Sequence, residues 1–300
     1  MKKCLVTGVT GLVGSHLLME LAREWEITGV SRMPPADGPD AENIRHVAMD
    51  LAGAWDPDRL PEKIDAVIHL AQSDLFRDFP NRAEEVFTVN TVSTLRLLDY
   101  ARLAGAATFI LASSGGLDHY GNTAAPEDGK NAKKENIDFY LATKWCSEIL
   151  AAVYAASFHT LCLRFYFVYG PGQKRDRLIP RLIQSVKEGR PIALAGRDGI
   201  RINPVHVSDA VSAILRSLDL TGNHTLNVAG PEVLSLRHIG ETIGQILGRQ
   251  PVFNERPETT PRDLVGDVHR TAELLGPPRV KFQDGVRDWI EGSGSGGRRA

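Results

Sequence analysis

The chain has 300 residues, 42% of them hydrophobic and 24% charged, with a formal net charge of -2. That length suits one large α/β domain with a smaller lobe, and the composition is that of an ordinary soluble globular protein. A charge so near neutral argues against a nucleic-acid surface, and no stretch reaches the ~20 apolar residues that a membrane span needs.

The N-terminus, Met1-Lys2-Lys3-Cys4-Leu5-Val6, is basic and then briefly apolar. The apolar run breaks at Thr7-Gly8 with no small-residue cleavage site, so it reads as a strand rather than a secretory signal. Further strands are predicted at 27–31, 44–49, 66–70, 109–112 and 161–165, and helices at 12–24, about 82–104 and 140–156. Continuous apolar strands separated by helices indicate a parallel sheet covered on both faces, the doubly wound α/β (Rossmann) pattern. After Gly170-Pro171-Gly172 the rhythm loosens. Helices near 178–188, 208–218 and 236–247 alternate with short segments at 192–194 and 225–228, and Pro-rich stretches at 251–261 and Pro277-Pro278 punctuate the last third. Residues 171–291 are therefore read mainly as a smaller α/β lobe, discontinuous in sequence, some of whose segments return to the first sheet. The glycine and serine run from Gly292 opens a flexible tail over 292–300. Cys4, Cys146 and Cys162 are isolated, and no spacing resembles a metal site. Cys4 and Cys162 fall in apolar strand-like runs, where free cysteine acts as a small hydrophobe; the simple reading is a reduced, cytoplasmic compartment and structural thiols.

Gly8, Gly11 and Gly14 follow the first strand directly and open a helix. The first permits a tight turn, the second lets backbone approach a pyrophosphate, and the third allows close helix–strand packing. The helix start then offers free N–H groups and a positive dipole to phosphate, so Gly8, Thr10, Gly11, Leu12 and Val13 are candidates for a dinucleotide cradle, and residues 1–170 for a dinucleotide-binding domain. The second strand ends at Ser31-Arg32, where an NAD-selective site usually has an acidic residue. A hydroxyl and a guanidinium suit a 2′-phosphate, which favours NADP(H) over NAD(H). Asp50 is placed to accept from the adenine amino group, with Leu51 beside it. His69-Leu70-Ala71 should pass under the cofactor, and Leu70, Ala71 and Gln72 join the cofactor-binding set.

Tyr140 and Lys144 are four apart on a predicted helix and so share one face. A free phenol, with a pKa of about 10, is a poor base at neutral pH; a nearby ammonium and a nicotinamide cation would lower it. Tyr140 can then take a proton from an alcohol as hydride leaves, or return one to a ketone, while Lys144 also bonds the cofactor ribose. Phe109-Ile110-Leu111-Ala112-Ser113-Ser114 puts two hydroxyls at the carboxyl end of the fifth strand. Ser114 is the candidate to align the substrate oxygen, with Ser113 the fallback because the loop through His119, Tyr120 and Gly121 blurs the register.

With these residues in place, the chain resembles the extended short-chain dehydrogenase/reductase family, in its NAD(P)-dependent epimerase/dehydratase branch. The resemblance covers about residues 1–290. It rests on Thr7 through Gly14, His69-Leu70-Ala71, Asn90, Ser113-Ser114, Tyr120-Gly121, Tyr140 through Lys144, Leu163-Arg164, Val168 through Gly172 and Val205 through Asp209. It implies a catalytic triad of Ser114, Tyr140 and Lys144, with Asn90 supporting the active site and counted with the cofactor contacts. It also implies a homodimer through the two long helices that begin near 82 and 140. Relatives acting on nucleotide sugars commonly carry Asn where this chain has Phe167, and Arg-Asp-Phe where it has Arg201-Ile202-Asn203-Pro204. His119, Phe167 and Arg201 are substrate-side candidates.

The resemblance implies an NAD(P)-dependent epimerase or ketoreductase acting on a nucleotide sugar. Dehydration ranks lower, because dedicated relatives often place Asp-Glu where this chain has Gly115-Gly116. The alternative is an NADPH-dependent reductase of a non-sugar ketone or aldehyde, suggested by Phe167 and Arg32. A catalytically silent dinucleotide-binding regulator typically loses the tyrosine or lysine, and both are present here.

Overall fold

A computed structural model describes residues 1–34, 42–118 and 137–295. The chain begins with β1 (Lys2–Thr7), buried from Cys4 onwards, and turns through glycines into α1 (Leu12–Leu21). Strands β2 (Trp25–Ser31), β3 (Ile44–Ala48) and β4 (Ala66–His69) follow. A helical stretch then runs as α2 (Ala83–Phe87), one π-helical turn (Thr88–Val92) and α3 (Ser93–Leu103). The apolar period predicts one helix across this stretch; the interruption centres on Asn90. Its carbonyl accepts from the Thr94 hydroxyl at 2.7 Å and the Ser147 hydroxyl at 2.8 Å, side chains entering a ladder that an α-helix keeps for backbone N–H groups.

Next come β5 (Thr108–Ser114), α4 (Phe139–Val153) and β6 (His159–Phe165). Helix α4 starts where Asp138, in extended backbone, accepts from Leu141 N at 2.8 Å, an N-cap of the usual kind. Then follow α5 (Leu178–Glu188), β7 (Ile192–Ala195), β8 (Arg201–Ile202), α6 (Val207–Ser217) and β9 (His224–Val228). The chain closes with β10 (Leu234–Ser235), α7 (Leu236–Leu247), β11 (Phe253–Arg256), α8 (His269–Leu275) and α9 (Phe282–Ser295).

Seven strands make one sheet in the order β3-β2-β1-β4-β5-β6-β9, and the registers of β2 with β3, β1 with β2, β1 with β4 and β4 with β5 are all parallel. This is the doubly wound α/β fold. The winding reverses beside β1, and in such sheets ligands bind beyond the carboxyl ends of the strands at that switch point. Leu5, Val30, Val67, Leu97, Leu98, Phe109 and Leu111 form the core that fixes the sheet against its helices. Cys4 and Cys162 are buried, and burial pushes both thiols well above their usual range, whereas Cys146 stands exposed on α4.

The described residues divide into two compact units. Those in 1–117, 137–164 and 211–226 form the first; residue 118 and those in 165–210 and 227–295 form the second. The second unit pairs β7 with β11 in parallel and β8 with β10 in antiparallel, under α5 and α7. Its core is Tyr169, Ile179, Leu182, Ile183, Val186, Ile192, Leu194, Ile239, Ile243 and Phe282. Helices α5 and α7 stop at left-handed glycines, Gly189 and Gly248, which close the last turn without a Cβ clash. Strand β11 lies inside the Pro-rich stretch over 251–261; its four residues between the prolines are enough to pair with β7. Helix α9 runs through Ser295, four residues into the stretch that glycine and serine mark as tail, carried on by the turns before it. Among the described residues no helix is long and apolar enough to cross a membrane, and no group of three or more His, Cys, Asp or Glu is placed to hold a metal.

Candidate active site

The turn between β1 and α1 leaves no room for side chains. Gly8 has φ +74, and a Cβ on it would lie 2.8 Å from Ala71 N. A Cβ on Gly14 would lie 2.3 Å from Gly8 O. Gly11 N donates to Gly8 O at 2.9 Å, and no side chain caps the helix at Gly11, so the first N–H groups of α1 are left to a ligand. Thr10 is exposed and Leu12 and Val13 are half-buried at that helix start. A cradle that any Cβ would fill, at a helix N-terminus, fits a pyrophosphate.

Around it the other cofactor candidates sit unequally. Leu70 and Ala71 are half-buried, and Ala71 N donates to Thr7 Oγ1 at 3.2 Å. The Ser31 hydroxyl donates to Met33 O at 2.5 Å, and Arg32 is exposed. Asp50 is exposed, and one of its carboxylate oxygens accepts from Ala52 N at 3.0 Å. Leu51, by contrast, packs its side chain into the sheet core.

Behind the cradle lies a buried polar chain. His69 Nδ1 meets Thr7 Oγ1 at 2.7 Å and its Nε2 meets Thr94 Oγ1 at 3.1 Å. Burial, aided by the Lys144 charge, holds the His69 pKa down to about 3, so the imidazole is neutral. Asn90 is buried too. Its Oδ1 accepts from Ser73 N at 2.9 Å and its Nδ2 donates to Thr143 Oγ1 at 2.9 Å. Both ends of the Asn90 amide are thus committed to protein, and it serves the site by fixing the loop after β4 to the turn of α4 between Tyr140 and Lys144.

Tyr140 and Lys144 do share a face of α4, with the ammonium 5.9 Å from the phenol ring centroid. Lys144 is 2% exposed, and its Nζ donates to Ala112 O on β5 at 2.9 Å. Burial holds its pKa down to about 8 against an upward pull from the Glu148 carboxylate. The Tyr140 hydroxyl donates to Gln72 Oε1 at 2.9 Å, and the ring packs against Phe76 with centroids 5.0 Å apart.

The structure separates the two serines. Ser113 is buried and donates to Glu148 Oε1 at 2.5 Å. The same carboxylate accepts from Arg164 Nε at 2.9 Å and from its Nη2 at 2.6 Å. Ser114 is half-buried, and its hydroxyl oxygen accepts from Gly116 N at a long 3.4 Å. Gly116 in turn lets the first turn of α4 approach: a Cβ there would lie 2.8 Å from Leu141 Cδ2.

In the second unit, Phe167 has φ +43, a backbone region that costs a bulky residue energy, and its ring packs on that unit's core. Arg201 is turned to Asp263, with Nε to Oδ2 at 2.8 Å and the Arg201 backbone N to Oδ1 at 2.8 Å. His119, Tyr120 and Gly121 lie outside the described residues. Two features escape sequence reasoning. The Glu148–Arg164 pair had a partial signal, since Glu148 falls four residues after Lys144 on the same helix. The contact of Gln72 with Tyr140, 68 residues apart, had none.

Against known proteins, the model of the NAD dependent epimerase/dehydratase family matches residues 4–229. A dTDP-4-dehydro-6-deoxy-D-allose reductase from a Streptomyces species is 29% identical, over 90% of each chain. The Bacillus subtilis (strain 168) protein YtcB, described as an uncharacterized UDP-glucose epimerase, is 27% identical over 96% of each. Among solved structures, MoeE5 in complex with UDP-glucuronic acid and NAD superposes with a TM-score of 0.83 at 28% identity, covering 97% of this chain and 99% of that one.

Proposed function

The chain belongs to the NAD dependent epimerase/dehydratase family, and on that premise we propose that it is an NAD-dependent 4-epimerase or 4-ketoreductase of a nucleotide sugar. The observation that carries this is the buried Lys144, anchored to Ala112 O beside Ser114 and one helical turn from Tyr140. Bound NAD supplies the hydride acceptor and donor. Ser114 hydrogen-bonds the reacting oxygen and aligns it with Tyr140, whose phenol moves the proton as hydride leaves or arrives. Lys144 holds a positive charge next to that phenol and toward the ribose of the cofactor. Ser113 takes no part, because its hydroxyl belongs to Glu148.

NAD is favoured over the NADP that Ser31 and Arg32 suggest. The Ser31 hydroxyl is spent on Met33 O, and MoeE5, the relative described above, was solved with NAD. Residues 171–291, most of which fall in the second unit, are read as the sugar-binding part. A homodimer is supported by exposed apolar side chains on the two helices that such an interface would use, Leu95 and Leu103 on α3 and Ile149 and Val153 on α4. Light scattering on the pure protein tests it. Three free thiols support a reducing, cytoplasmic compartment.

The test is turnover of UDP-glucose, UDP-glucuronic acid and a dTDP-4-keto-6-deoxyhexose with NAD⁺ or NADH, for wild type and Tyr140→Phe. Turnover of one of them, lost in Tyr140→Phe, is the expected result; equal turnover by both proteins overturns the reading. A second reading, reduction of a non-sugar ketone or aldehyde, is favoured by the pairing of Arg201 with Asp263, which occupies a cation that a diphosphate would use. It gains if none of the nucleotide sugars is turned over while simple carbonyl compounds are.

A further inference from the structure

The segment after β4 meets the catalytic phenol directly. Gln72 is exposed, and its Oε1 takes the hydrogen bond of the Tyr140 hydroxyl at 2.9 Å. Both of its neighbours are pinned: Ala71 N to Thr7 Oγ1 and Ser73 N to Asn90 Oδ1. Leu75 N is held in turn by Ser73 Oγ at 3.1 Å. The backbone of Gln72 is therefore fixed, and its freedom lies in its side-chain torsions. Four residues on, Phe76 packs its ring on Tyr140, with the Arg77 guanidinium 5.2 Å above Phe76. The segment thus gives the phenol a polar partner and an apolar wall.

A phenol has a single O–H to donate. In the reaction that hydrogen faces the substrate oxygen, so the Gln72 carbonyl and the substrate oxygen are alternative acceptors for the same donor. Two acceptors of one hydroxyl each lie about 2.7 Å from it, and thus within roughly 5 Å of each other. A carboxamide displaced by substrate has two N–H donors and a carbonyl to offer at that distance. We infer that Gln72 is a substrate-contacting residue: it holds the Tyr140 hydroxyl in the free enzyme and, once displaced, hydrogen-bonds the polar group next to the reacting carbon. This rests on the epimerase or ketoreductase reading above and differs from the cofactor role that its place after Ala71 suggests.

The experiment compares wild type, Gln72→Met and Tyr140→Phe by steady-state kinetics across pH, with NAD⁺ affinity measured separately by calorimetry. Gln72→Ser stands in should the methionine variant fold poorly. The Gln72 variant is expected to raise KM for the nucleotide sugar about three- to tenfold, with NAD⁺ affinity unchanged, the loss of one hydrogen bond. A neutral donor that loses its acceptor ionises more readily. The limb of the kcat/KM profile set by the phenol therefore moves about half to one pH unit lower, while the matching limb of kcat stays put because substrate has already displaced the amide. A structural effect alone would not split the two profiles. If Tyr140→Phe abolishes turnover but Gln72→Met leaves KM and both profiles unchanged, the inference is overturned and the reading beneath it stands. A loss of NAD⁺ affinity equal to the rise in KM also overturns it, returning Gln72 to the cofactor. Full activity in Tyr140→Phe sinks the reading itself.

Discussion

The Glu148 carboxylate accepts three hydrogen bonds, from Ser113 and from two nitrogens of Arg164, with side chains only 9% and 7% exposed across the ion pair. Glu148→Gln preserves shape but removes the charge that pairs with the buried Arg164 guanidinium. Breaking a buried pair from one side costs about 3–5 kcal/mol, a large share of the 5–15 kcal/mol that holds a typical protein folded. Solvent screening cannot soften the loss at this depth. The assay is urea denaturation followed by tryptophan fluorescence and far-UV circular dichroism, reading the transition of the first unit. Replacing both partners by apolar residues of similar size, Glu148→Leu with Arg164→Met, leaves no orphan charge and should recover most of the stability. Glu148 also raises the Lys144 pKa from below, so in Glu148→Gln the alkaline fall in activity, expected near pH 8 in wild type, should begin at lower pH. A single variant costing under about 1 kcal/mol, or a double variant as costly as the two singles summed, would refute the reasoning.

Gly14→Ala puts a Cβ 2.3 Å from Gly8 O, so α1 must retreat from β1; calorimetry should show NAD⁺ binding weakened about tenfold or more, together with a lowered Tm. His69 titrates at about 3 when folded against 6.5 as a free side chain. Between those values the unfolded chain holds the extra proton, so His69 lowers stability as pH falls from about 6.5 towards 3. In His69→Gln the urea midpoint should vary less between pH 7 and pH 4, and an unchanged slope would show that another group carries the dependence.

What the sequence made legible follows from how local each signal is. Gly8, Gly11 and Gly14 declare the cradle because every clash they avoid lies within a few residues or just past the end of the adjoining strand β4. Tyr140 and Lys144 are legible because helical period alone puts them together. The choice between Ser113 and Ser114 was not fixed by spacing: it turns on a carboxylate from α4 and a guanidinium from β6 that meet only after the sheet forms. Leu51 illustrates the converse, a residue chosen for its place beside Asp50 whose side chain packs into the core. The NADP preference read at Ser31 and Arg32 had no view of a local turn, in which the Ser31 hydroxyl bonds the Met33 carbonyl two residues on.

The π-helical turn at Thr88–Val92 holds one residue more than the α ladder needs, and the helix can spare it. One π-helical turn is an α-helical turn with a residue inserted, so losing one of these five while the ladder tightened to the regular α form would leave α3 facing very nearly as it does now. Leu97, Leu98 and Ala101, now fully buried, would keep their place against the sheet, whereas the Asn90 carbonyl would turn back to a backbone N–H and leave the hydroxyls of Thr94 and Ser147. A letter dropped from this turn is absorbed on the spot, whereas the same letter dropped from the regular turns of α3 would rotate everything after it by about 100°.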